Sequence, residues 1–270
     1  MHEAGFFICG MKRPAKLGRQ MRFRQATIAI LLLLVCVQAH AGSEAVPCKD
    51  MVFERNDFIV CTFDARIDEL RLAWTDSGGH ALRSFANLQR SLGGDAARVE
   101  FAMNAGMYED TGKPLGLYIE NGKGLHPLNT REGSGNFYMK PNGVFSLYAD
   151  ATMSIETADD FQKERRRPVW ATQSGPMLVI DRAIHPQISH DGPSKNIRNG
   201  VGLVDAHTAL FVISSDPVSF GRFARFFQDR LRCPNALYFD GAVSSLWEPS
   251  AGREDNVALL GPIVVVLSRR

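Results

Sequence analysis

The apolar run "ALYFD" ends on Asp240, and Gly241, Ala242, Ser244 and Ser245 follow it as small residues that leave space around the carboxylate. A carboxylate at the end of a buried run needs a cation, a metal or hydrogen-bond donors. In a cleft its pKa rises and it can work as an acid or a base. The competing reading is an Asp-Gly turn in which Asp240 caps its own backbone. Arg198 lies in "HDGPSKNIRNGVGLVD", with Lys195 between Gly192 and Gly200. Glycines there let backbone amides approach an anion, and Arg198 can hold phosphate or carboxylate through two parallel hydrogen bonds.

Asn104 closes the apolar run of "FAMNAGMY" and is followed by Ala105 and Gly106. Its amide can donate and accept toward a polar ligand, or it can simply make a tight turn. In "TQSGPMLVID", Ser174 precedes Gly175-Pro176, a pair that marks a sharp turn. Its hydroxyl either faces a ligand or steadies that turn. The segment 127–145 gathers Asn129, Thr130, Arg131, Asn136, Lys140 and Asn142 among glycines. Such a loop suits a sugar or a phosphate, or forms two successive turns.

Other chemistries are disfavoured. The chain has no GxGxxG after a strand, no GxxxxGK[ST], no HExxH and no GxSxG. His80, His126, His185, His190 and His207 are scattered without ligand spacing, and neither CxxC nor a Cys/His cluster is present, which argues against structural zinc.

The 270 residues carry 31 Lys+Arg and 29 Asp+Glu. Residues 27–37, "TIAILLLLVCV", form an apolar run too short to span a bilayer comfortably. Arg22 and Arg24 precede it and "AHA" at 39–41 offers small residues for cleavage, so residues 1–41 read as a secretory signal. A membrane anchor and lipidation at Cys36 are the weaker alternatives, and Met21 would begin a signal of ordinary length. Without residues 1–41 the balance is 25 basic against 28 acidic residues, or −3, and no basic face argues for nucleic acid. A periplasmic or secreted chain folds under oxidising conditions, so two of Cys48, Cys61 and Cys233 can pair. Cys48 with Cys61 is the first choice, because they are close and flank a strand, while Cys233 remains a partner for either.

The elements that must position these groups are mostly strands. Short apolar runs alternate with Gly, Pro and Asn punctuation, which predicts a strand-rich α+β single domain with a mixed sheet and a few helices. Strands are expected at 58–63, 70–74, 99–103, 115–120, 143–148, 176–181, 200–205, 208–214, 236–240 and 262–268. Asn121-Gly122 should turn a hairpin. Helices are expected over 81–92 and, with Ser219 as N-cap, over 219–231, where a phenylalanine stripe reads as core packing.

The order of these clusters resembles the phosphodiester glycosidase family. The carrying segments are Asn104-Ala105-Gly106, Gly175-Pro176, Arg198 to Gly202, and Asp240 to Ser245. The family includes the lysosomal "uncovering enzyme", which removes N-acetylglucosamine from a sugar–phosphate–mannose diester, and the chain looks most similar to a bacterial exported branch. Where relatives often carry glycine, this chain has Ala105, Ala242 and Val243. The resemblance spans about residues 98–268, so the chain divides into a signal (1–41), N-terminal strands and a helix (42–97), and the glycosidase-like domain (98–270). It implies an exported hydrolase that cleaves a glycosyl phosphodiester, with a glycan or sugar-phosphate as partner. Asp240, Arg198 and Asn104 would be catalytic, and Gly106, Ser174, Gly200, Gly241, Ser244 and Ser245 would bind substrate. No cofactor is certain, and a need for a divalent cation stays open. The competing class is a non-catalytic binding protein on the same fold; a third is a phosphodiesterase that breaks P–O rather than C–O.

Overall fold

The computed structural model describes residues 47–270; residues 1–41, expected from the sequence to be a signal, with Met21 and Cys36, lie outside the described residues. The first sheet has seven strands in the order β1-β2-β13-β12-β14-β10-β11. They are β1 (Cys48–Phe53), β2 (Asn56–Asp64), β10 (Met177–Ile180), β11 (Ala183–Ile184), β12 (Asn199–Leu203), β13 (Thr208–Ser214) and β14 (Asn235–Asp240). The second has the order β16-β15-β4-β17-β3, built from β3 (Asp68–Ala73), β4 (Val99–Asn104), β15 (Leu246–Glu248), β16 (Arg253–Glu254) and β17 (Ile263–Ser268). The third runs β6-β5-β9-β7-β8: β5 (Tyr118–Glu120), β6 (Lys123–His126), β7 (Gly143–Leu147), β8 (Met153–Thr157) and β9 (Trp170–Ser174).

This is the strand-rich α+β domain with few helices that the sequence predicts, with one difference. The ladders between these strands are antiparallel rather than mixed. Short turns join several neighbouring strands, and a parallel pair would need a long crossover instead.

A central cluster fills the space among the sheets. Phe211 of β13 meets Phe101 of β4 at 5.6 Å, Phe145 of β7 at 5.8 Å and Phe239 of β14 at 6.3 Å between ring centroids. On β14, Leu237 and Phe239 belong to this cluster, while Ala236 and Tyr238 pack on the opposite side. A strand buried on both faces reads as a continuous apolar run, which explains "ALYF".

Helices cover the outer faces. α1 (Phe85–Leu92) lays Phe85 and Leu88 against Trp247, Ile263 and Val265 of the second sheet. It begins four residues later than the apolar spacing predicts, because Arg83 has φ +65° and Ser84 caps the helix by accepting from the Asn87 amide. α2 (Ala158–Lys163) is a short helix capped by Thr157. α3 (Phe220–Arg225) starts at Ser219, whose hydroxyl accepts from the Arg222 amide, and continues as a π-turn over Phe226–Arg230. That wider turn brings Phe226 into the core beside Phe223 and Phe227, and Phe226 stacks on Phe58 at 4.0 Å.

Cys48 and Cys61 are joined by a disulfide between paired residues of β1 and β2. Cys233 is free and buried. The hairpin at Asn121-Gly122 forms with both residues at positive φ.

Candidate active site

The site is assembled where the ends of β4, β12 and β14 meet. Register pairs Asn199 with Asp240, and a bulge follows between Asn199 and Gly200. At Gly200 the two strands approach so closely that a Cβ would lie 2.5 Å from the Leu237 carbonyl oxygen.

Asn104 and Asn199, both buried, face each other across two sheets. Asn104 Oδ1 also accepts from the Ser245 amide at 2.9 Å, so the pair fixes the segment after Asp240. Ser244 Oγ lies within hydrogen-bonding distance of Asn199 Oδ1 (3.2 Å), the Ile197 carbonyl (3.0 Å) and the Asp240 carbonyl (2.9 Å). Ser245 Oγ donates to the Val243 carbonyl at 2.8 Å. Asn199 was not singled out from the sequence. Its signal is slight: a small amide beside an arginine, at the opening of a glycine-bearing strand.

Asp240 closes β14 half-buried. Its Oδ1 accepts from the amides of Gly241 (2.6 Å) and Ala242 (2.8 Å), the geometry of a carboxylate capping its own turn. Burial nevertheless pushes its pKa above the usual carboxylate range, and those backbone bonds only partly offset the effect. Its charge is close enough to Tyr108 to help burial push that phenol up.

Arg198 is fully buried. Nε donates to the Val218 carbonyl (2.8 Å), Nη1 to the Tyr238 hydroxyl (3.0 Å) and Nη2 to the Ser194 carbonyl (2.9 Å). The guanidinium also lies over Phe220, 3.7 Å from the ring centroid. It has no ion pair with a carboxylate among the described residues, and burial lowers its pKa against the favourable Tyr238 contact. Arg198 is therefore held from behind. Gly241 is the wall in front of it: a Cβ there would come 2.0 Å from Tyr238 Oη and 3.4 Å from Arg198 Nη1.

On the other side of that wall is an open pocket of about 520 Å³, whose lining includes Gly241, Ala242, Ser244, Lys195, Arg253 and Asp255. Asp240 and Arg198 do not line it; they stand at its edge and behind its wall. Lys195 makes no ion pair among the described residues and is exposed. Arg253 donates Nε and Nη2 to Asp255 at 3.0 and 2.7 Å, and Asp255 in turn accepts from the Leu246 amide at 2.9 Å.

The other sequence candidates act at a distance from the pocket. Ser174 Oγ donates to the carbonyl of Phe239 at 2.8 Å, which ties β9 to the residue before Asp240. Gly106, at φ +144°, lies where a Cβ would be 2.9 Å from Thr172 Oγ1, and that hydroxyl donates to the Ala105 carbonyl at 2.7 Å. In the loop 127–145, Asn129 and Asn142 are engaged by Gln173, whose Oε1 accepts from the Leu117 and Asn129 amides at 2.9 Å each. Those amides serve the turns. Among the described residues, no group of three or more His, Cys, Asp or Glu side chains could hold a metal ion, and no helix is long and apolar enough to cross a membrane.

The phosphodiester glycosidase family model matches residues 97–255. The chain is 34% identical over 186 residues to the uncharacterized protein YigE of Escherichia coli K12, covering 69% of this chain and 72% of that protein. Among solved structures it is similar to the catalytic domain of zebrafish N-acetylglucosamine-1-phosphodiester alpha-N-acetylglucosaminidase auto-inhibited by its pro-peptide. That similarity has a TM-score of 0.57 at 15% identity over 83% of this chain and 82% of the other, and it bears on the fold alone. The family match takes in Asn104, Arg198, Asn199 and the whole turn from Asp240 to Ser245, and with it this chain belongs to the phosphodiester glycosidase family.

Proposed function

We propose that the protein is an exported hydrolase that cleaves the sugar–oxygen bond of a glycosyl phosphodiester, with a glycan phosphodiester as its ligand. The observation that carries this reading is the open pocket with Lys195 and Arg253 on its lining, the unpaired Arg198 charge behind Gly241, and Asp240 at its edge. A phosphodiester anion fits that arrangement of cations.

Water adds to the anomeric carbon, the bond from that carbon to the phosphate oxygen breaks, and the phosphomonoester leaves with the bonding pair. Such a leaving group is already acidic and needs charge stabilisation more than protonation. Lys195 and Arg253 supply it by contact, and Arg198 supplies it through the thin Gly241 wall. Asp240, made more basic by burial, accepts the proton of the attacking water or stabilises the oxocarbenium-like centre. Asn104 and Asn199 keep the turn in place, and Ser244 orients the ligand.

The test is a screen of the protein against glycosyl-phosphate diesters with and without chelator, read as released sugar. Released sugar that is lost in Asp240→Asn supports the reading; no release from any diester sinks it. One observation favours a binding protein instead: the Asp240 carboxylate already caps its own turn. Saturable calorimetric binding without released sugar would establish that second reading.

A further inference from the structure

Five large hydrophobic side chains are exposed among the described residues: Val52, Ile67, Val204, Val257 and Leu259. Single exposed aliphatics are ordinary on a protein surface, and the first three lie apart in the chain. Val257 and Leu259 do not. They stand two residues apart on the loop 255–261, 74% and 61% exposed, and Val257 lines the pocket that holds Lys195 and the Arg253–Asp255 pair.

The loop is anchored on both sides of them. Asp255 exchanges two hydrogen bonds with Leu246, accepting from its amide at 2.9 Å and donating its own amide to the carbonyl at 3.0 Å. Leu260 is buried and donates its amide to the Arg83 carbonyl at 2.9 Å. The Leu259 carbonyl accepts from the Tyr108 hydroxyl, and Gly261 lies against the Tyr108 ring where a Cβ would be 2.2 Å from Cδ1. With both ends fixed, Val257 is held on the pocket lining and Leu259 is exposed two residues further along the same loop. Ile197 and Pro217 add apolar surface to the same lining. Arg253 bonds Asp255 through Nε and Nη2 and not through Nη1, and its side chain is partly exposed at the pocket.

We infer that the pocket takes an amphipathic phosphate ester, its phosphoryl group among Lys195 and Arg253 and an aliphatic aglycone along Val257 and Leu259. The inference rests on the phosphodiester reading above and adds the chemistry of the group on the far side of the phosphate. The tail could belong to a soluble ester or to a lipid, and the same contacts serve both.

The test measures calorimetric affinity of the full chain for methyl phosphate and for octyl phosphate below its micellar concentration. Octyl phosphate should bind about tenfold more tightly, as partial burial of two aliphatic side chains requires. In the Val257→Ser/Leu259→Ser double variant that advantage should fall to about twofold or less, with methyl phosphate affinity unchanged. Both side chains are exposed, so the variant tests contact rather than folding. A parallel arm uses phosphatidylcholine vesicles that carry a dialkyl phosphate. Binding to them as well as to free octyl phosphate assigns the tail to a lipid, and binding to the free ester alone assigns it to a soluble aglycone; either supports the inference. Equal affinity for methyl and octyl phosphate overturns it while leaving the phosphodiester reading intact. An octyl advantage that survives in the double variant overturns the placement. Failure of both esters to bind overturns the inference together with the reading beneath it.

Discussion

Asn104 and Asn199 hold each other by reciprocal hydrogen bonds between two sheets. Asn199 Nδ2 donates to the Asn104 carbonyl at 2.8 Å and to its Oδ1 at 3.0 Å, and Asn104 Nδ2 donates to Asn199 Oδ1 at 3.2 Å. Because Asn104 Oδ1 also takes the Ser245 amide, this pair joins β4, β12 and the turn after Asp240 into one unit.

Replacing Asn199 with leucine should therefore reach both stability and turnover. The buried Asn104 amide loses its partner, at a cost of about 2 kcal/mol in denaturant unfolding. Turnover should fall more than the lost stability explains, since the turn is no longer pinned. An Asn199→Leu protein with unchanged unfolding midpoint would show that the pair bears no load.

Gly241→Ala should be destabilised by about 2 kcal/mol, because the new methyl meets the buried Tyr238 hydroxyl. Tyr238→Phe removes that hydroxyl but strips Arg198 Nη1 of its acceptor. The double variant should then lose less than the two singles added together, by about 1 kcal/mol. Strict additivity in a double-mutant cycle would mean that Gly241 and Tyr238 do not touch.

Asp240→Asn should show a pH-dependent gain in relative stability. The folded carboxyl binds its proton more tightly than the unfolded one, so the wild type is favoured on the acid side. It loses that advantage as pH rises from the unfolded value through the raised folded one. Asparagine does not titrate, so urea midpoints at about pH 4 and pH 7 should move in the variant's favour toward pH 7. A constant difference across that range would mean that Asp240 titrates normally.

Glu54 works with the opposite sign. The Arg225 guanidinium, bonded through Nε and Nη2 at 2.8 and 2.7 Å, holds its carboxyl below the usual range, with Arg222 helping. This contributes stability above the unfolded carboxyl value, and the contribution is lost as pH falls through the folded one. Glu54→Gln should cost about 1 kcal/mol or less near neutrality, because Glu54 is solvent-exposed and its ion pair is screened. The gap to wild type should close in acid; a gap that widens there would reject the pairing.

Much of the frame was legible because apolar periodicity survives in the strands buried on one or both faces, such as β13 and β14. β9 was not, since Thr172, Gln173 and Ser174 are polar residues buried among hydrogen bonds that only the folded neighbours supply. The start of α1 was hidden by Arg83, a left-handed residue that no propensity marks. At the site, Asp240, Arg198 and Asn104 were visible as polar interruptions of apolar runs. The role of Arg198 was not, because its partners are two carbonyls and a phenol from segments 4 to 40 residues away. Asn199 and the Val257–Leu259 pair gain meaning only through neighbours that the chain order does not reveal.

Cys233 lies under Phe227 and Gly202, and burial pushes its thiol up to about 12. Among the described residues it is the one sulfhydryl able to attack the Cys48–Cys61 bond. Thiol–disulfide exchange needs a thiolate with access to the target sulfur, and in the native fold this thiol has neither charge nor access. An odd cysteine, ordinarily a hazard for shuffling and intermolecular cross-linking, is thus taken out of circulation by packing alone for as long as the domain stays folded.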